Sequence, residues 1–472
     1  VKITLTNTNT GAERSAISDG IGNYEIPVVM PGTYHVSAEG AHFNKFELKY
    51  DLELLVNTPA MLNFEMALGV RIEINLTDAT VGNAMSRRQI EQLPLEDRNP
   101  GGLMSFQPSV VYTGINDSIV PDTRGGSVAG GRSDQNNTTV DGVDANNQQT
   151  GKAFEAVIPV TLDSTQEFRV VTVNANADQG RSSAGQVSLV TRSGGNRLSG
   201  SFYEYQRNAV TSANDFFNNS TIDSITGKSL ERPKFNRNIF GGSLGGPILR
   251  NKLFFFVNVE DTITRREEPQ LRLVPSATLR QGTLSYFDTA RVVKTVTPEQ
   301  LKAMDPLNIG PNSAILALMR QYPVGNDPTQ GDGGLNFTGF RFNGPLKEDK
   351  PSYIGRIDYY LNSRHRIFVR GSVADYKVDI QAPQFPGQPA SQVMLDRSKG
   401  IAVGHTFAVS PNLMNAFHWG LTRQSLNFTG GNTNPGLGIR GMDSLQNLFA
   451  RNNGRTLPTH NLLEDLTWVR EG

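Results

Sequence analysis

Several short runs in this chain carry residue types that could do chemistry. Gly241-Gly242-Ser243-Leu244-Gly245 fits G-x-S-x-G, the elbow that lifts a serine nucleophile out of a sharp strand-to-helix turn. Gly-Pro and then an aromatic strand-like run come next, with no helix pattern. Glycines that let a strand curve or approach a neighbouring surface are the simpler reading. Gly125-Gly126 and Gly130-Gly131 have the look of a phosphate loop, but they lead to no G-K-[ST] and no apolar helix. Asp134, Asp141, Asp144 and Asn146 invite a calcium site. The D-x-[DN]-x-[DN]-G spacing is missing, and such residues commonly close Asx turns. The six histidines are scattered, with no H-E-x-x-H, so neither a metal centre nor a cofactor is called for.

The composition narrows the classes further. Lys and Arg total 45 and Asp and Glu total 45, giving no net charge. That argues against nucleic acid as a partner, because such binding runs on excess positive charge. Cysteine is absent, which removes disulfides, thiolate metal sites and cysteine nucleophiles. Glycine (47) and asparagine (40) are abundant in 472 residues, and both tolerate the positive φ of tight turns. This composition points to a turn-rich, mainly β chain. No apolar run approaches the ~20 residues of a membrane-spanning helix, which leaves the membrane β-barrel open.

The elements that would position these residues fall into three stretches. Residues 1–69 contain short alternating strands and turns at Asn9-Thr10-Gly11, Asp19-Gly20 and Pro31-Gly32. Tyr24 and Ile26 form one apolar set, and Tyr34, Val36 and Ala38 a second inward set. A small β-sandwich of immunoglobulin or transthyretin type is expected. NTNTG, DGIGNYEIP and PGTYHVSAEG resemble the carboxypeptidase-regulatory-like domain. His35 and His42 lack a nearby third ligand, so no peptidase zinc site is read here.

Residues 70–196 mix signals. Thr80–Leu93 has a helical period that stops at Pro94, the Gly/Asn-dense run and the Val157–Val173 stretch come after it, and a strand is expected at Gly185–Thr191. Leu93-Pro94…Arg98-Asn99, Gln107-Pro108-Ser109-Val110 and RGG…GGRSDQNN…VDGVD (124–144) resemble the plug of TonB-dependent receptors. QEFRVVTVNANADQGRSSAGQVSLVTRSGGN does so too. With the preceding sandwich, the chain is similar to the Oar-like subgroup of outer-membrane TonB-dependent transporters. The resemblance implies an α+β plug inside a barrel, a TonB-type energy-coupling partner and an unknown extracellular substrate: peptide, protein, glycan or metal chelate. It also implies that the sandwich sits on the periplasmic side. Within such a plug, Arg124, Arg132, Asp141 and Asp144 are candidates for gating or substrate contact; a static ion-pair network accounts for them equally well.

Residues 197–472 hold alternating segments joined alternately by short and long loops. In Leu253–Arg265, Phe255, Val257, Val259 and Ile263 share one face, and Asn258, Glu260 and Thr262 the other. Apolar toward lipid and polar toward lumen, with short turns on one side and long loops on the other, is outer-membrane barrel topology. Arg265-Arg266-Glu267-Glu268 reads as a charged loop base, and a helical run is expected near Pro298–Arg320. Seven or eight strands cannot enclose a plug of this size, whereas large plugged transporters have about 22. The expectation is therefore the first strands of an incomplete antiparallel barrel, a piece of a longer protein in contact with outer-membrane lipid. The rival reading is a surface adhesin or carbohydrate-binding β-protein.

Overall fold

A computed structural model of the chain describes residues 1–472 apart from 20–21, 28, 41–42, 56–59, 65–69, 73–80, 94, 96–97, 99, 113–125, 148–155, 159, 176–179, 215, 224–225, 411, 431–437, 448–450 and 469–472. Arg124 and His42 fall outside the described residues.

The first sheet contains β1 (Lys2–Asn7), β2 (Glu13–Ile17), β3 (Gly32–Gly40), β4 (Phe43–Glu47) and β5 (Leu52–Leu54). Its order is β2-β1-β3-β4, with β5 also on β3. Period-two alternation puts Ile3, Leu5, Tyr34, Val36 and Ala38 into one buried cluster, and Tyr24 and Ile26 pack on it. Tyr24–Pro27, read from sequence as strand, is irregular. A small ribbon of β6 (Leu62–Phe64) and β7 (Val70–Ile72) comes next in the chain.

The second sheet is built by β8 (Val81–Ser86), β11 (Asn137–Val140), β12 (Val143–Asp144), β13 (Thr165–Val173) and β14 (Gln186–Thr191). Between β8 and β11 lie α1 (Arg87–Gln92) and a ribbon of β9 (Val110–Tyr112) and β10 (Gly126–Val128). The helical period over Thr80–Leu93 is only half realised, since Val81–Ser86 is strand. Six register pairs to β13 override the local pattern, and Gly82 permits the approach: a Cβ there would meet the Val170 carbonyl at 2.2 Å. Met85, Ile90, Leu103, Met104, Val140, Phe168, Val170 and Leu189 fill the core.

The third sheet is the largest. Eight long strands run in strict up-and-down order: β15 (Ser199–Asn208), β16 (Phe235–Leu249), β17 (Leu253–Pro275), β21 (Phe337–Tyr360), β22 (His365–Ala374), β25 (Lys399–Ser410), β26 (Leu413–Thr429) and β27 (Asn453–Trp468). Among the described residues β15 and β27 do not pair, so the sheet is an open, curved wall. The helix α2 (Phe216–Ser220) lies in the first long loop. The loop between β17 and β21 carries β18 (Leu284–Phe287), β19 (Val293–Val296), α3 (Pro298–Met304), α4 (Ser313–Met319) and β20 (Asp327–Gly331). The remaining long-loop strands are β23 (Tyr376–Gln381) and β24 (Gln392–Asp396).

Strands β17 and β21 pair without interruption from Leu253↔Tyr359 to Pro275↔Phe337. A membrane crossing takes ~9–11 residues, so roughly half of this ribbon stands beyond the bilayer. Arg265 to Glu268 are therefore strand rather than loop base: Arg265 pairs with Asp349 and Arg266 with Glu348 across the ribbon.

The wall has two chemically distinct faces. In β17, Phe254, Phe256 and Asn258 are buried, with the Arg192 guanidinium over Phe256 and Thr161 bonded to Asn258, while Val257 and Val259 are 43% and 47% exposed. Phe202, Phe240, Leu244, Ile357, Val369, Leu462 and Leu466 extend the exposed apolar face. Water would not tolerate so large a contiguous patch, and lipid accounts for it. Among the described residues no helix is long and apolar enough to cross a membrane.

The first sheet docks at the short-turn end of the wall. The Asn196 backbone N–H donates to the Asn9 carbonyl at 2.8 Å, and its side-chain amide donates to Thr10 O and Asn251 Oδ1. Asn251 belongs to the β16–β17 turn.

Candidate functional site

The second sheet reaches the wall's inner face through a two-residue hairpin. Val140-Asp141-Gly142-Val143 joins β11 to β12, with φ of 51° at Asp141 and 78° at Gly142. An Asp-Gly pair with both φ positive is the turn that suits a tight hairpin. The tip thrusts the Asp141 carboxylate at the wall, where two arginines wait. Arg356 on β21 and Arg370 on β22 are directly opposite in register. Arg356 Nη1 donates to Asp141 Oδ1 at 2.9 Å, and Arg370 Nε lies 2.6 Å from Oδ2. The latter contact is off line for a hydrogen bond and acts as an ion pair. Thr191 donates to the same carboxylate through its backbone N–H and hydroxyl, both at 2.9 Å. Asp358 accepts from Arg356 Nη2 at 2.9 Å.

All four charged side chains are buried to within 5% exposure. Burial pushes the Asp141 carboxyl up, but the guanidiniums of Arg356 and Arg370 and the Thr191 hydrogen bonds outweigh it and hold it below the ordinary carboxylate value. Without Asp141 two guanidiniums would face each other at low dielectric.

Shape reinforces charge along this seam. A Cβ at Gly420 on β26 would stand 2.1 Å from Val143, and one at Gly400 on β25 would stand 2.1 Å from Ile158. The wall thus omits side chains where the inner unit inserts them. Thr422 donates its hydroxyl to the Asp144 carbonyl at 3.2 Å, and Gln424 donates to Asn147 at 2.9 Å.

A second seam lies beside the first, against β15 to β17, whose last strand pairs with β21. Thr161 opens a short 3-10 turn with a capping box to Ser164, and its hydroxyl also donates to Asn258 Oδ1 at 2.7 Å. Asp163 in that turn pairs with Arg98, whose Nε is 3.8 Å from Glu260 on the wall. The Arg98 guanidinium lies over Tyr203 and Tyr205 at 4.9 and 4.2 Å from the ring centroids. Tyr203 donates its hydroxyl to Glu260 at 2.8 Å.

Of the residues singled out from sequence, Asp141 is the centre of the first seam. Asp144 is buried beside it, ion-paired with Arg181, while its Oδ1 accepts the Asn146 N–H in the Asx turn expected. Arg132 is exposed and stays out of the seam. Ser243 sits mid-strand in β16, facing inward, 2.8 Å from Ser201 Oγ and 3.4 Å from Arg192 Nη1. No helix comes after it, and a Cβ at Gly245 would touch Gly194 at 3.5 Å, which is close approach rather than an elbow. His35 lies 3.5 Å from Asp51. His365 and His405, forty residues apart in sequence, stack with Nδ1 and Nε2 3.1 Å apart. Among the described residues no group of three metal-ligating side chains forms. From sequence Arg98 stands out only as part of the plug-like motif and Glu260 only as a lumen-facing polar position, and Asp163, Arg356 and Arg370 not at all. The signal for the wall residues was present: each is a charge in the inward phase of an alternating strand.

An open wall with a lipid-compatible outer belt and an ion-paired inner unit is the geometry on which the comparisons bear. The family model of the outer membrane beta barrel domain matches residues 190–467, more than half of the chain. The chain belongs to this outer-membrane β-barrel family. It is 28% identical over 279 residues to the TonB-dependent transporter Oar of Myxococcus xanthus, covering 56% of this chain and 25% of that protein. The outer membrane transporter YddB from Escherichia coli shares the fold with a TM-score of 0.51 at 13% identity, over 83% of this chain and 46% of that one. The ferripyoverdine receptor of Pseudomonas aeruginosa aligns at 10% identity and a TM-score of 0.41, over 91% of this chain and 58% of the receptor. The chain thus spans a quarter to about half of the length of the first two. Its location is the outer membrane, and its inner unit is the plug of an incomplete barrel.

On the long-loop face of this outer-membrane barrel, three separate loops share one small core. Val274, Tyr322 and Phe385 are buried together, with Phe340, Met442 and Leu445 against them. Tyr322 and Phe385 meet edge to face at 5.6 Å. Asp443 and Leu273 exchange hydrogen bonds: the Asp443 N–H donates to the Leu273 carbonyl at 2.8 Å, and the Leu273 N–H donates to Asp443 Oδ2 at 2.7 Å. Gln388 donates to the Leu445 carbonyl at 3.0 Å. The long loops are therefore a joined platform rather than independent strands of chain.

Proposed function

We propose that the chain serves TonB-dependent uptake of a large or scarce extracellular substrate across the outer membrane, with the plug as the gate. The observation that carries this is the seam at Asp141: the plug is held inside the wall by a few concentrated ionic contacts and by side chains fitted to glycines, not by a continuous apolar core. Contacts of that kind release together once displaced, which suits a gate opened by pulling. The outer membrane has no nucleotide supply, so work must arrive mechanically from a TonB-type partner. The relative named as a TonB-dependent transporter supports the same reading. Residues 1–69, 70–196 and 197–472 would then act as periplasmic sandwich, plug and barrel portion, with the loop platform meeting the substrate. Asp141 and Asp144 would act in the gate through their contacts with the wall.

These 472 residues contain no cysteine, so a thiol introduced here is the only one within them. Val140 is fully buried in the plug beside the seam. In the full-length protein, Val140→Cys should react with a membrane-impermeant maleimide in energised cells and lose that reactivity when the proton gradient is collapsed. Equal labelling in both states would overturn gated, energy-coupled movement.

A further inference from the structure

The outward face of the wall carries a feature that gating does not use. Lys399 on β25 and Arg423 on β26 are directly opposite in register. Side chains so placed have Cβ atoms ~5 Å apart, and two like charges there repel. Both point to lipid. Gly400 faces Ile158 of the plug and Thr422 bonds Asp144 of the plug, so their strand neighbours Lys399 and Arg423 face the other way. Among the described residues neither cation has a carboxylate in ion-pair distance. Arg397 stands at the same spot and is paired with Asp375 at 3.3 Å, both well exposed.

These groups border a depression of about 450 Å³, completed by the hydroxyls of Ser425 and Thr456 and the amide of Asn427. Its height on the wall is informative. Below it on the same face come Ile401 and Leu462, and then Leu466 and Trp468 at the short-turn end, where Trp468 pairs with Leu413. Ten residues separate Arg423 from Leu413, a rise of roughly 34 Å along the strand and roughly 26 Å along the normal at ~40° tilt, close to the ~25 Å apolar band of an outer-membrane barrel. The cation pair therefore stands at the outer boundary of the belt, where headgroups lie.

We infer that Lys399 and Arg423, with Arg397 beside them, bind the phosphate of an outer-leaflet lipid headgroup, whose acyl chains run down over Ile401 and Leu462. An anion between the two cations turns their repulsion into two attractions, and guanidinium and ammonium are the groups that hold phosphate. The flanking hydroxyls and amide supply further donors.

The test uses the full-length protein in a neutral detergent, freed of lipid, with three probes: dioleoyl phosphatidic acid, dioleoyl phosphatidylcholine and inorganic phosphate. Retained lipid is counted by native mass spectrometry. The expected result is at least tenfold preference for phosphatidic acid over phosphatidylcholine, undiminished by millimolar inorganic phosphate. The Lys399→Gln/Arg423→Gln double variant should lose the preference. So should Lys399→Glu, which sets a carboxylate opposite Arg423 and keeps the strand pair bonded, so its loss cannot be assigned to unfolding. Equal retention of the two lipids, an unchanged preference in both variants, or displacement of the lipid by inorganic phosphate would each overturn the assignment.

Discussion

Arg356 and Arg370 face each other across neighbouring wall strands, and the carboxylate that reconciles them, Asp141, comes from a different part of the chain more than two hundred residues away in sequence. The seam is thus a property of the assembled plug and wall, and neither holds it alone.

Removing the carboxylate should be costly. Asp141→Asn keeps the shape and deletes the charge, leaving buried Arg370 without its carboxylate and Arg356 with Asp358 alone. Breaking a buried pair in this way costs ~3–5 kcal/mol. Hydrogen exchange over residues 137–144 should accelerate strongly, while exchange in the β17–β21 ribbon stays at the wild-type level.

Acid should act on the same contact, and the sign is fixed by the direction of the shift. The Asp141 carboxyl titrates below its ordinary value of 3.8 in the folded chain. Its contribution is complete above the unfolded value and is lost as pH falls through the lower, folded one. Plug seating should therefore be indifferent to pH between 7 and 5 and weaken only below about pH 4. Asp141→Asn should flatten that acid limb in a chaotrope-extraction or exchange measurement.

Glycine fit can be separated from glycine flexibility. Gly420→Ala places a methyl 2.1 Å from Val143, whereas Gly355→Ala on β21 has no heavy atom within 4 Å of the new Cβ. Overpacking costs roughly 1–3 kcal/mol. Thermal unfolding should register Gly420→Ala as destabilised and Gly355→Ala as unchanged or slightly stabilised, and Val143→Ala should rescue the former.

The loop platform should fail as a unit. Phe385→Ala removes the ring that bridges Tyr322 and Phe340, a truncation worth about 3–5 kcal/mol in a packed cluster. Limited proteolysis should then open the 276–336 loop and the 438–447 loop together, although Phe385 belongs to neither, with heat-modifiable migration unaffected.

How much could be read in advance depended on how local each signal was. Alternation in Leu253–Arg265 announced both faces of β17, because a strand's inner and outer positions are set by adjacent residues. Asp141-Gly142 carries an equally local hairpin signal, although Asp141 stands out from sequence only as an acidic, Asx-turn or gating candidate. Thr80–Leu93 misled for the opposite reason: its helical spacing was real, but pairing with β13, some eighty residues away, decided the first half. Strand ends beyond Arg265 were equally hidden, since a charged pair such as Arg265 and Asp349 looks like loop until its partner is known. The arginine partners of Asp141 were visible as inward charges at positions 356 and 370, but only folding shows that one carboxylate serves both.

The two seams have opposite polarity. On one side the plug brings the acid and the wall the bases; on the other the plug's Arg98 meets the wall's Glu260. The two seams lie on neighbouring wall strands, β17 and β21, so a plug displaced by one strand would carry Asp141 toward Glu260 and away from its arginines. The arrangement works as a keyway: whatever draws the plug out of place, only one rotational setting lets it return.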